Sequence, residues 1–214
     1  SNEKSTRQNS IRTLAEKNRD YIIERRRYYH SHPELSLTEF ATTSSIKDDL
    51  EKIASSAGVN NLFITTFNDY PGLVADFDSG KPGRTILLRA DIDALPIHEC
   101  TGLSFSSQTP GVMHACGHDG HIAIGLMTAK LLHQYRNQLH GTLQFLFQPA
   151  EEGCRGAQPI AESGLLNSTD IFLSGHIVPA AQYPQITGDF IVTDGSFATT
   201  KIDVTYYGKS AHAA

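Results

Sequence analysis

Near the start of the chain the apolar positions recur with a helical period. Ile11, Leu14 and Ala15, Tyr21 and Ile22, then Tyr28 and Tyr29 share one face and predict an amphipathic helix over residues 11–29. His30-Ser-His-Pro-Glu34 should end it, because Pro33 disfavours the helical region for the residue before it. A second helix fits residues 38–57, with Phe40, Thr43, Ile46, Leu50, Ile53 and Ala57 on one face and Gly58 as a natural stop. The period then changes. Residues 62–67, 72–77 and 85–90 are rich in β-branched and aromatic side chains and are separated by turn-forming Asn-Asp-Tyr-Pro and Ser-Gly-Lys-Pro-Gly, the signature of strands. Residues 91–117 lack a clear period, and a loop of that length in a folded domain is usually functional. A largely buried helix is expected over 118–135, capped by Asp119, then a strand at 142–148 ended by Pro149, a short helix at 156–163 and a strand at 170–175.

Strands alternating with helices predict an α/β fold, a largely parallel mixed sheet flanked by helices. Past Tyr183 the pattern shifts to strands at 188–193 and 199–207, followed by what reads as a helix start in Gly208-Lys-Ser-Ala-His212. The division expected is residues 1–194 as the body of one domain and 195–214 as the beginning of a smaller α+β domain, cut short, which the family resemblance carried by the motifs that follow implies is a lid.

Composition narrows the partners. The 214 residues carry 18 basic and 23 acidic side chains, a net charge of -5, with no basic block, so neither nucleic acid nor an anionic membrane is an expected partner. No apolar run approaches the roughly 18 residues of a membrane span, and the N-terminus has no signal-peptide pattern. Three cysteines, Cys100, Cys116 and Cys154, are too few and too odd for a disulfide framework and point to a reducing, cytoplasmic setting.

The chemistry concentrates at strand ends. His114-Ala-Cys116-Gly-His118-Asp119-Gly-His121 puts a thiol and three imidazoles within eight residues, just before a helix. These are transition-metal ligand types, and the two glycines let the backbone fold tightly enough for them to converge. A loop holding a structural Cys and solvated His residues is the competing account. Gln148-Pro-Ala-Glu151-Glu152 follows a central strand, where ligands bind in open α/β sheets. Adjacent side chains there point opposite ways, so one carboxylate can bind a cation while the other faces water. His176 follows the last strand, and Arg89-Ala-Asp91-Ile-Asp93 ends another. Asp91 and Asp93 suit the role of partners that hold ligating histidines in one tautomer, with turn capping as the alternative.

Together these motifs resemble the peptidase M20 family, in its amidohydrolase branch of hippurate, auxin-conjugate and aminobenzoyl-glutamate hydrolases. The resemblance rests on Arg27-Tyr-Tyr-His30-Ser-His-Pro-Glu-Leu35, Arg89-Ala-Asp-Ile-Asp-Ala-Leu-Pro96, Gly111-Val-Met-His-Ala-Cys-Gly-His-Asp-Gly-His121, Phe147-Gln-Pro-Ala-Glu-Glu152 and Gly208-Lys-Ser-Ala-His212. Gly153-Cys-Arg155-Gly-Ala157 and Phe197-Ala-Thr-Thr-Lys201 lean towards aminobenzoyl-glutamate hydrolases. It implies a zinc-peptidase-like catalytic domain with two divalent metal ions held by Cys116, His118, Glu152 and His176 and by a further His beyond this sequence. Zinc or manganese is expected, and nickel or cobalt also suits the ligand set. Glu151 would be the general base and His212 the oxyanion stabiliser, with Asp91, Asp93, Asp119 and His114 behind the ligands. The expected substrate is an N-acyl or N-aroyl amino acid or a dipeptide, and the expected full-length assembly a homodimer. Two other readings stand beside this one: Cys116 as a nucleophile activated by a nearby His, and a catalytically silent chain that binds a ligand or a partner chain.

Overall fold

The computed structural model describes residues 2–56, 61–153 and 155–179, with 181, 190–192, 202 and 204–209 beyond them. The first expected helix is two: α1 (Asn2–Lys17) and α2 (Arg19–Ser31). The break falls at Asn18, whose side-chain amide donates to the Leu14 carbonyl at 2.9 Å and so competes with continuation of the helix. α3 (Phe40–Ser55) starts where the Glu34 carboxylate accepts the amide N–H groups of Ala41 and Thr42. Three strands follow, β1 (Leu62–Thr66), β2 (Leu73–Asp78) and β3 (Thr85–Asp91). After the 92–117 segment come α4 (His118–Gln134), a 3-10 turn at Arg136–Gln138, β4 (Thr142–Gln148), α5 (Ala157–Glu162) and β5 (Ile171–Ser174).

The five strands form one mixed sheet in the order β1-β2-β4-β3-β5. β1 pairs antiparallel with β2 and β2 antiparallel with β4, whereas β3 lies parallel between β4 and β5. The three parallel strands therefore deliver their C-terminal ends to the same edge. Period-two alternation assigns the faces. Leu73, Ala75, Phe77, Phe145 and Phe147 join Tyr29, Ile46, Leu50, Ile122 and Leu126 from α2, α3 and α4 in the main core. Val74, Leu87 and Leu146 point the other way, onto Ile160 of α5. The absence of a side chain at Gly125 lets α4 lie against Phe147, since a Cβ there would meet the ring at 3.0 Å. Phe147 is 1 % exposed, and cutting it back to Ala would cost about 3–5 kcal/mol.

The 92–117 segment is fixed despite its lack of period. Leu35 bridges Ala94, Leu95 bridges Met113, and His30 ties α2 to Glu99. No helix among the described residues is long and apolar enough to cross a membrane. The strands expected at 188–193 and 199–207 fall mainly outside the described residues; positions 190–192, 202 and 204–207 are in no strand. Among the described residues there, Phe190, Val192, Tyr206 and Tyr207 are almost wholly exposed. The boundary expected at 194/195 and the helix start at 208–212, His212 included, lie outside the described residues apart from Gly208 and Lys209, which carry no regular structure.

Candidate metal centre

The tight left-handed backbone of Gly117, at φ 87°, starts α4 and turns Cys116 and His118 towards the sheet edge. Asp119 does not cap the helix, which has no side-chain cap bond. It is buried instead in the first turn, with Oδ2 2.8 Å from both His30 Nδ1 and Arg26 Nε. His118 is fully buried. Its Nδ1 donates to the Asp93 backbone carbonyl at 2.9 Å and lies 3.2 Å from Asp93 Oδ1, which leaves the Nε2 lone pair facing the sheet edge. Three carboxylates surround that nitrogen: Asp91 Oδ2 at 3.6 Å, Glu151 Oε2 at 3.8 Å and Glu152 Oε1 at 3.9 Å.

A second imidazole is braced in the same way. The Ile177 amide donates to His121 Nε2 at 2.9 Å, so the ring proton sits on Nδ1 and is donated to Asp91 Oδ1. On the open side Cys116 Sγ lies 3.4 Å from His176 Nε2, and the His176 ring stands edge-on to both His118 and His121. Arg89 completes the rim: Nη1 is 3.1 Å from Asp91 Oδ2 and Nε donates to Gln148 Oε1 at 2.6 Å. Beneath the Glu pair, the Glu152 amide donates to Asp93 Oδ2 at 3.0 Å, and Ser36 donates to the same oxygen at 2.7 Å.

The electrostatics of this cluster call for a cation. Burial opposes ionisation of Asp91 and Asp93, but the hydrogen bonds of His121 to the first and of His118 and Ser36 to the second outweigh it and hold both carboxyls below the usual range. Burial, then the negative charges of Asp91 and Glu152, push Glu151 up. Burial and the neighbouring Glu152, Glu151 and Asp91 push the Cys116 thiol up to about 12. His118 Nε2 and Glu152 Oε1 are buried with no hydrogen-bond partner, and Asp91 Oδ2, also without a hydrogen bond, faces Arg89 Nη1 and His118 Nε2. Buried ligand-type atoms left unpaired beside several negative charges fit a metal site, because a divalent ion satisfies the lone pairs and relieves the repulsion together. Cys116, His118 and His176 form one group with mutually close ligand atoms; His118, Glu151 and Glu152 form a second, and Asp91, His118 and His121 a third.

The structure thus brings together Asp91, Asp93, Cys116, His118, Glu151, Glu152 and His176 from three strand ends and one helix start. Two residues expected behind the ligands stand apart. Asp119 bonds to α2, and His114 is buried with neither ring nitrogen hydrogen-bonded, burial holding it down at about 4. His121, one of the three imidazoles of the sequence motif, joins the cluster on the same helix face as His118, three residues earlier. Arg89 and Gln148, which open two of the motifs with no role expected of them, join it too.

The sequence profile of peptidase family M20/M25/M40 matches residues 87–213, more than half of the chain. The chain belongs to this family. It is 39% identical over 231 aligned positions to a p-aminobenzoyl-glutamate hydrolase homolog of Haemophilus influenzae, covering 90% of this chain and 54% of that protein. Indole-3-acetyl-aspartic acid hydrolase of Enterobacter agglomerans is 44% identical over 154 positions, 67% of this chain and 34% of its own length. Among solved structures, YXEP of Bacillus subtilis, a dinuclear metal binding peptidase from the M20 family, superposes with a TM-score of 0.68 at 43% identity, covering 74% of this chain and 42% of that one. The M20 chain described here spans about half, or less, of the length of the curated relatives it matches.

Proposed function

We propose that this M20 chain carries the metal-binding half of an amidohydrolase that cleaves N-acyl or N-aroyl amino acids or dipeptides. The observation that carries the reading is the convergence of three carboxylates within 3.9 Å of an unpartnered, fully buried His118 Nε2. In this reading Cys116, His118, Glu152 and His176 hold two divalent ions, with residues 1–194 as the catalytic body and 195–214 as the start of a lid. Bound there, the ions would supply Lewis-acid polarisation of the scissile carbonyl and lower the pKa of water.

The protein's own groups do the rest. Asp93 fixes the His118 tautomer so that Nε2 is free, and Asp91 accepts the Nδ1 proton of the adjacent His121, whose Nε2 is occupied by the Ile177 amide. Glu151 is half-buried at the mouth of the cluster, and its carboxylate takes a proton from the attacking water and delivers it to the leaving amine nitrogen. His212 would donate to the developing oxyanion. An amide whose leaving group is an amino acid agrees with the names of the Haemophilus and Enterobacter relatives.

A nucleophilic Cys116 is disfavoured by its surroundings. An activated thiol needs a positive environment that lowers its pKa, and burial beside Glu152, Glu151 and Asp91 does the reverse. The test is Glu151→Gln in the metal-loaded full chain, assayed on p-aminobenzoyl-glutamate and a panel of N-acylated amino acids. Turnover should fall by at least 10²-fold with metal content unchanged; near-normal turnover would sink the assignment.

A further inference from the structure

Glu39 sits at the start of α3 with none of its surface exposed, far from Glu151 in sequence but hydrogen-bonded to the residue just before it. Its Oε1 accepts the Ala150 amide N–H at 2.8 Å, while its Oε2 is buried without any hydrogen-bond partner. A half-satisfied buried carboxyl costs stability that an apolar side chain of similar volume would not. Burial accordingly raises its pKa to about 7.

What it holds is strained. Ala150 has φ 50°, a left-handed conformation that a non-glycine residue adopts only when its surroundings hold it there. Its carbonyl accepts the Arg155 and Gly156 amides, both at 3.2 Å, which closes the turn around Glu151 and Glu152. The Glu39 end of the bond is itself fixed, since Thr43 donates to the Glu39 carbonyl and receives the Gly72 amide at 2.8 Å. On the far side of Glu151, Asp93 captures the Glu152 amide at 3.0 Å. Glu151 is thus flanked by two backbone amides, each held by a buried carboxyl from a different part of the chain.

We propose that Glu39 is a positioning residue for the site: by holding the Ala150 amide it keeps the left-handed turn that sets where Glu151 and Glu152 stand. The inference rests on the proposed roles of Glu151 as base and Glu152 as ligand. Position is what an acceptor at residue 39 supplies, so Gln, which keeps a carbonyl oxygen there, substitutes for Glu while Leu does not.

The experiment compares Glu39→Leu, Glu39→Gln and Glu151→Gln in the full chain, reading cobalt(II) affinity by competition with a chromogenic chelator and kcat and KM on an N-acylated amino acid. Glu39→Leu should weaken cobalt(II) binding about 10-fold and lower kcat about 10–100-fold with KM changed less than threefold, the scale expected for a partner behind the ligands. Glu39→Gln should recover both to within about threefold. Where Glu39→Leu lowers the Tm below the assay temperature, Glu39→Asp carries the test, because withdrawing the acceptor by one methylene should cost at least fivefold in both readouts. Parent-like cobalt(II) affinity and kcat in the folded Leu or Asp variant overturns the inference, as does equal impairment of the Gln and Leu variants. Glu151→Gln separates the two levels: full activity in that variant defeats the assignment of the base, whereas an inactive Glu151→Gln beside a parent-like Glu39→Leu defeats the positioning role alone.

Discussion

Asp93 is the side chain on which the geometry of the site most depends, and replacing it with Asn tests that dependence sharply. The residue is 1 % exposed, and its oxygens have different duties. Oδ2 receives the Ser36 hydroxyl at 2.7 Å and the Glu152 amide at 3.0 Å, whereas Oδ1 faces His118 Nδ1 at 3.2 Å. In Asn one of these positions becomes an NH2 group. Placed towards His118, it opposes a ring N–H that the Asp93 carbonyl, at 2.9 Å, continues to favour; placed towards Glu152, it opposes a backbone N–H. Either orientation sets a donor against a donor in a buried place. A hydrogen bond to a charged acceptor is worth about 1.5–3 kcal/mol, so the loss of one contact should cost about 2 kcal/mol of stability. At this chain length that is roughly 4–8 °C in Tm. The larger effect falls on metal affinity, because both the His118 tautomer and the Glu152 backbone depend on Asp93, and such partners are typically worth 10–100-fold. Chelator competition with cobalt(II) and thermal unfolding of the metal-free chain read the two effects separately. A variant that binds cobalt(II) within twofold of the parent would refute the reasoning, whatever its Tm.

Two further outcomes follow from contacts outside the ligand set. Hydrogen bonding to Asp119 raises the His30 pKa, against burial and with help from Glu99. A raised folded pKa gives stability that is fully present below the unfolded value near 6.5 and is lost as pH rises through the folded value. Urea unfolding of the metal-free chain should therefore find His30→Gln less stable than the parent at pH 6, by on the order of 1 kcal/mol per pKa unit, with the gap closing by pH 9; a gap constant with pH contradicts the ion pair. Gly156→Ala would place a Cβ 1.6 Å from the Pro149 carbonyl oxygen, so it should open the Glu151–Glu152 turn, lowering stability by about 1–3 kcal/mol and weakening metal binding. Parent-like Tm and metal content in that variant would show that the turn tolerates what its geometry forbids.

Much of the fold was readable because each strand has a period and a stop. Pro149 ends β4 at Gln148, and the alternation in Thr142–Gln148 separates the two cores. The α1–α2 break was not readable, since the apolar stripe runs through Asn18 and only the bond from its side chain to Leu14 reveals the interruption. In the site, thiol, imidazole and carboxylate announced themselves by type and by position after a strand. Among their supports Asp91 and Asp93 were legible from their place at the end of β3, but others were not. Glu39 lies in an amphipathic helix start where a surface carboxylate is the ordinary expectation, and nothing local says that Ala150 will cover it. Asp119 looked like a helix cap because Asp is a good one; its bonds to His30 and Arg26 are long-range and leave no trace in spacing. His114 shares the motif but not the cluster.

The central claim is that Cys116 meets a metal ion beside His118, Glu152 and His176. Its most direct test is the near-ultraviolet spectrum of the cobalt(II)-loaded full chain. A thiolate-to-cobalt charge-transfer band should grow with added metal, vanish in Cys116→Ser and persist in Glu151→Gln. A spectrum without that band in the parent, or an identical band in Cys116→Ser, would contradict the account.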